Sequence, residues 1–297
     1  MFARLLTAAA LLIAGGGAVP QVAAQGSAAD HARWVEVCAD WDDWDKAGPP
    51  FRVHGNTWYV GTCGITALLV TGDEGHVLID GGTAEGAAPI AANIEALGFA
   101  LSDVKLLLHS HEHFDHVGGL AELQRRTGAR LLASAEAGPV LESGRESAED
   151  PQYGMHDPFP AARVDGRVTP GEPIRLGSLT LVPVATPGHT PGALSWQWQS
   201  CEGETCAAIV YADSLSPISN DAYRFSDHPG YVAGFRAGLD RLAALDCTLL
   251  LTPHPSASEM RRRLAAGSLF DEPRCAAYAR GIAERLDARL AEEGAGG

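Results

Sequence analysis

Apolar residues in this chain fall in short runs, separated by glycine-bearing turns and by stretches with helical spacing. Residues 56–82, NTWYVGTCGITALLVTGDEGHVLIDGG, alternate β-branched and aromatic runs with turns and predict a β-meander. Residues 88–99 carry helical spacing that ends at Gly98. The run 104–110, VKLLLHS, predicts a buried strand, and 118–128 a helix directly after it. A strand is expected over 129–137, a short helix over 137–144 and a long polar loop over 143–172. Further strand-like runs occupy 178–192, 193–216 and 247–258, with helices over 230–245 and 275–293.

The strand runs cluster as meanders, in two broadly similar successions, and do not alternate strictly with helices. That pattern disfavours a doubly wound sheet. It predicts an αββα sandwich of two mixed β-sheets with external helices. No internal repeat or low-complexity linker interrupts the chain, so residues 25–297 read as a single domain.

Residues 1–24 read as a signal peptide: Arg4 supplies the positive start, Leu5–Ala14 the apolar stretch, and VAA before Gln25 the small residues of a cleavage site. A ten-residue stretch is too short to span a bilayer. A periplasmic protein is expected. The net charge is −15 and only two lysines are present, Lys46 and Lys105. Such a surface repels phosphate backbones and anionic lipid, which excludes nucleic acid and membranes as partners. With no heptads or evident apolar patch, the chain is expected to be a monomer.

Export permits disulfides. The six cysteines are Cys38, Cys63, Cys201, Cys206, Cys247 and Cys275, and spacing alone leaves their pairing open. Cys201 and Cys206 bracket a turn-like EGET and suit a local staple. No CxxC spacing supports a zinc–thiolate site.

The candidate chemistry sits where hydrophobic runs stop. After the strand 104–108 comes HSHEHFDHVGG, residues 109–119, which holds four histidines and an aspartate. His111 and His113 alternate by two, so extended backbone sends both to one side. Asp115 and His116 follow where the chain turns into a helix, and Gly118 and Gly119 allow a close turn. Other runs deliver His189 (TPGHTPG), His254 (TPHPS), Asp213, Ser214 and Ser216 (YADSLS) and Asp80 (LIDGG). His111, His113 and His189 form one candidate ligand set; Asp115, His116 and His254 form a second. Nitrogen and carboxylate donors with open positions for water suit Zn²⁺. Taken alone, His189 and His254 read equally well as structural histidines. Asp80 reads either as a buttress for a ligand histidine or as a turn former before Gly81. His31, His54, His76 and His228 read as solvated or structural, His109 as support for the cluster, and His156, in the long loop, as a surface residue in preference to one that meets a substrate.

HSHEHFDHVGG, TPGHTPG, YADSLS and TPHPSAS together resemble the metallo-β-lactamase superfamily, and more narrowly its third class B subclass, in an imipenem-hydrolysing branch. The resemblance implies two zinc ions per chain, one held by His111, His113 and His189, the other by Asp115, His116 and His254. Ser214 stands where the other di-zinc subclass uses cysteine. The pairs Cys38–Cys63, Cys201–Cys206 and Cys247–Cys275 are implied. Asp213 either bridges the metals, as in thioesterase and lactonase relatives, or lies behind them. β-Lactam substrates, carbapenems among them, are expected to be opened by a hydroxide that the two ions share, without an acyl-enzyme, and with Asp115 orienting it and carrying a proton. Antibiotic resistance would follow. Ser214, Ser216 and Gln152 are expected to meet the substrate. A lactonase or thioester hydrolase of the same fold is the alternative.

Overall fold

A computed structural model describes residues 28–39, 42–270 and 274–295. The expected signal segment lies outside the described residues.

Seven strands form the first sheet in chain order: β1 (Phe51–His54), β2 (Thr57–Tyr59), β3 (Leu68–Thr71), β4 (His76–Ile79), β5 (Val104–Leu108), β6 (Arg130–Ala133) and β7 (Val164–Arg167). Pairing is antiparallel from β1 to β4 and parallel from β4 to β7. The second sheet contains β8 (Ile174–Leu176), β9 (Leu179–Ala185), β10 (Leu194–Glu202), β11 (Thr205–Tyr211) and β12 (Leu249–Leu251), in the order β12-β11-β10-β9-β8. Among the described residues eight α-helices surround them: α1 (Ala28–Val37), α2 (Ala87–Ala96), α3 (Phe114–Val117), α4 (Leu120–Thr127), α5 (Ala137–Ser143), α6 (Pro229–Ala243), α7 (Met260–Ala265) and α8 (Arg274–Ala295). No helix among the described residues is long and apolar enough to cross a membrane.

The continuous apolar runs are explained by burial of both faces of each sheet. Leu68, Val70, Val77, Ile79, Leu106 and Leu108 of the first sheet meet Leu181, Trp196, Trp198, Ile209 and Tyr211 of the second. Their neighbours Leu69, Leu78, Leu107 and Leu131 point the other way, onto Ile90, Ile94, Leu120 and Leu123 of α2 and α4. Val210 and Leu250 pack outward on Phe235, Leu239 and Leu242 of α6 and Ile282 and Leu286 of α8. The layers are therefore helix, sheet, sheet, helix, as the strand clustering predicts.

Five elements have no counterpart in the sequence reading: α1, β1, β7, β8 and α7. β7 falls inside the stretch expected to be loop. It is an edge strand reading VDGR, half-exposed, and so has no apolar signature. The histidine cluster also enters its helix early: α3 begins at Phe114, inside the motif.

Three disulfides join Cys38 to Cys63, Cys201 to Cys206 and Cys247 to Cys275. Cys201 and Cys206 face each other across the β10–β11 hairpin. At the edge that carries the polar motifs, the two sheets are tied together. Leu194 donates its N–H to the Ser110 carbonyl at 2.7 Å, and the Trp196 indole donates to the His109 carbonyl at 2.8 Å.

The segment after YADSLS is anchored by α8. Glu293 accepts the backbone N–H groups of Phe225 (3.1 Å) and Ser226 (2.7 Å) and pairs with Arg289 (2.7 Å), while Arg289 also donates to Ser219 Oγ at 2.9 Å. Burial pushes the Glu293 carboxyl up, but Arg289 and the N–H donors outweigh it and bring it down to about 2. A lowered carboxylate pKa contributes stability that is complete above the unfolded value and is lost as pH falls through the folded one. Glu293→Gln is therefore expected to cost about 2 kcal/mol at pH 7 by chemical denaturation. The difference from wild type should shrink as pH falls from about 4.5 toward 2.

Candidate metal centre

β4, β5, β9, β11 and β12 all end at one edge of the sandwich, and the loop after each delivers polar side chains there. Ile79 pairs with Leu108 in parallel register, so Asp80 and the 109–116 loop emerge side by side. Asp80 and Leu215 both adopt left-handed backbone, with φ of 66° and 50°. Backbone strain of this kind concentrates at functional sites. Gly118 and Gly119 serve close approach, with ordinary negative φ. A Cβ on Gly119 would stand 2.2 Å from the Gly81 carbonyl, and one on Gly118 would stand 2.4 Å from that of Phe114.

Ring nitrogens of His111, His113 and His189 lie within 4.8 Å of one another. Each ring has its other nitrogen held from behind. His111 Nδ1 lies 2.7 Å from Asp213 Oδ1, leaving its buried Nε2 without a hydrogen bond. His113 Nε2 lies 2.9 Å from Asp150 Oδ2, which turns Nδ1 toward the others. His189 Nδ1 donates to Ser216 Oγ (2.9 Å) and to the Ser216 carbonyl (3.1 Å). Burial and the neighbouring imidazoles hold His111 and His189 far below the usual histidine range, so their forward lone pairs are free. His113 is pushed down by burial but raised overall by Asp150.

A second group stands beside the first. His116 Nε2 lies 2.9 Å from Asp115 Oδ2 and 3.3 Å from His254 Nε2, and His254 Nε2 lies 3.3 Å from the same carboxylate oxygen. Burial favours the protonated carboxyl of Asp115, but His116 and His254 hold it well below the usual range. Ligand atoms bonded tetrahedrally at about 2.0–2.1 Å stand about 3.3–3.4 Å apart, so this spacing suits Zn²⁺. Asp80 faces His116 Nδ1 at 3.7 Å, and is held by Ser110 N (2.6 Å), Ser110 Oγ (2.7 Å) and the Tyr211 hydroxyl (2.7 Å).

The charge balance favours a cation. Asp80, Glu112, Asp115, Asp150 and Asp213 are all at most 5% exposed. Among the described residues none pairs with an arginine or lysine; the ion-pair partners of Asp80, Asp115, Asp150 and Asp213 there are histidines. Buried carboxylates are costly without compensating positive charge. Burial pushes Asp213 up to about 8 and raises Glu112 and Asp80. Cations between the ligand sets would favour the ionised forms.

The structure brings all six candidate ligands together. Asp213 lies behind His111, with its second oxygen accepting the Leu215 N–H at 3.1 Å. Ser214 Oγ is buried with no hydrogen bond. The Ser216 hydroxyl accepts from His189 and keeps its own proton to donate; Gln152 is buried with its amide 3.4 Å from His189 Nδ1. His109 is buried, with Nε2 accepting the Ser134 N–H, and does not touch the ligand rings. His156 differs from its surface assignment: it packs on His113 and Phe114.

Three residues escape the sequence reading. Asp150 buttresses His113. Glu112 accepts from Thr190 Oγ1 (2.7 Å) and Gly192 N (2.8 Å), locking the histidine loop to the His189 loop. Trp44 packs over His254, with ring centroids 5.4 Å apart. The available signals were an acidic residue flanked by two histidines and an aspartate before proline.

Fold and site define a metal-dependent enzyme of the αββα class. The metallo-β-lactamase superfamily model matches residues 60–202. MIM-2 metallo-β-lactamase is 59% identical with a TM-score of 0.86, covering 89% of this chain and 98% of that one. MEM-A1, a subclass B3 metallo-β-lactamase from a soil metagenome library, is 43% identical with a TM-score of 0.82, covering 86% of this chain and 100% of that one. A hydroxyacylglutathione hydrolase of Bradyrhizobium sp. (strain ORS 278) is 34% identical over 133 residues, 44% of this chain and 41% of that protein. The chain thus spans about two fifths of that curated relative. The chain belongs to the metallo-β-lactamase superfamily.

A carboxylate that orients a metal-binding histidine typically contributes 10- to 100-fold in metal affinity. Asp150→Asn is expected to weaken zinc binding by about that factor, measured by competition with a chromophoric chelator.

Proposed function

We propose that the chain is an exported, zinc-dependent β-lactamase of subclass B3 type, with carbapenems among its substrates. The observation that carries this reading is the convergence of six ligand atoms in a chain that is 59% identical to a metallo-β-lactamase over 98% of that protein's length. His111, His113 and His189 would hold one zinc ion, and Asp115, His116 and His254 a second. When bound, the ions supply Lewis acidity and lower the pKa of water.

The chain's own groups do the positioning. Asp213, Asp150 and Ser216 fix which nitrogen each of the first three rings presents. Glu112 fixes the two loops that carry those rings. The Asp115 carboxylate, already facing His116 and His254, orients the attacking water and holds its proton for the departing lactam nitrogen. No serine is placed as a nucleophile: Ser216 lies on His189, and Ser214 Oγ is buried beside Asp213. The Ser216 proton remains available to a substrate carboxylate. Three disulfides and the apolar stretch 5–14 favour export to the periplasm. The hydroxyacylglutathione hydrolase matches make thioester hydrolysis the second reading.

Purified protein lacking residues 1–24 is expected to hydrolyse imipenem and nitrocefin. EDTA should abolish the activity, added Zn²⁺ should restore it, and His189→Ala should lower it by at least about 100-fold. Inert β-lactams with turnover of a glutathione thioester would reverse the assignment.

A further inference from the structure

Glu146 gathers the loop that crosses the first ligand set. Its carboxylate accepts the Gly154 N–H at 2.5 Å, the His156 N–H at 3.2 Å and His156 Nδ1–H at 2.6 Å. The His156 ring is thereby held 4.9 Å from that of His113 and 5.2 Å from that of Phe114. With Nδ1–H committed to Glu146, Nε2 is the remaining polar atom of the ring, and no described residue bonds it. The side chain stays 19% exposed, so a ligand can reach it. A carboxylate on one imidazole nitrogen strengthens the other as an acceptor.

A second observation concerns the surroundings. The exposed large apolar side chains among the described residues are Tyr153, Met155, Ile218 and Phe270. Three of these four lie on the His156 loop or on the loop tied to it. Tyr153 and Met155 share its loop. Ile218 lies on the facing loop, which Asn220 ties to the first through Pro151 O (2.9 Å) and Tyr153 O (2.8 Å). An acceptor nitrogen beside an apolar rim matches a substituent with an N–H near the scissile ring and an apolar end beyond it.

Resting on the β-lactamase reading, we propose that His156 determines substrate preference: its Nε2 accepts the amide N–H of an acylamino substituent on the β-lactam ring. Tyr153, Met155 and Ile218 flank the substituent's apolar end. Glu146 acts as a positioning residue through His156. A site that bonds a substrate N–H discriminates against analogues lacking it.

The test compares benzylpenicillin with penicillanic acid, which lacks the substituent, on the zinc-loaded protein. In His156→Leu, the ratio of kcat/KM for benzylpenicillin to that for penicillanic acid should fall about tenfold, chiefly through KM. His156→Gln, which keeps a hydrogen-bonding group, should recover part of the ratio. Zinc content and Tm of each variant, measured alongside, report whether the centre and fold are intact. An unchanged ratio, or an equal loss on both substrates, overturns the inference and makes the ring a packing partner of His113. If wild type hydrolyses neither compound, the β-lactamase reading fails and the inference with it. Hydrolysis with an unchanged ratio overturns the inference alone.

Discussion

Five carboxyl groups are buried at one edge of two apolar sheets, with imidazoles, hydroxyls and backbone N–H groups as their partners. Isolated buried charge is among the most expensive things a fold can hold. The rest of the edge follows from managing it. Asp80 is locked by Ser110 and Tyr211, Glu112 by Thr190 and Gly192, and Asp213 by His111 and Leu215. Each lock joins two strand-end loops, so neutralising the carboxylates also fixes the loops that carry the ring nitrogens.

The sheets make that arrangement possible by keeping their titratable ligands out of the strand interiors. Strands buried on both faces have no room for a histidine mid-run, so chemistry is confined to the loops after them. Parallel pairing of β4 with β5 and of β11 with β12 sends several of these loops to the same edge. Trp196 and Leu194 then bond the histidine loop to the second sheet across the core. Preorganisation of this kind is what a hydrolytic site needs, because ligand geometry is set before substrate arrives.

Much of this was legible in the chain. The layer order follows from strand runs that cluster as meanders without alternating with helices, and the ligand candidates follow from where apolar runs stop. Asp150 was not legible, because its approach to His113 depends on how a loop 37 residues onward folds back. His156 looked like a surface residue for the same reason: nothing in its neighbours signals that Glu146 turns it onto the centre. β7 escaped because edge strands need no apolar face. The sequence leaves Asp213 either bridging or buttressing; in the structure its Oδ1 lies 2.7 Å from His111 Nδ1 and its Oδ2 accepts the Leu215 N–H at 3.1 Å.

The central claim is that two cations complete this edge, one in each ligand set. Its most direct test is zinc titration of the chelator-stripped protein, with bound metal counted by native mass spectrometry. Two equivalents are expected for wild type, falling to one in His254→Ala with the His111, His113 and His189 set still filled. A single equivalent in wild type, or a count that His254→Ala leaves unchanged, would contradict the account.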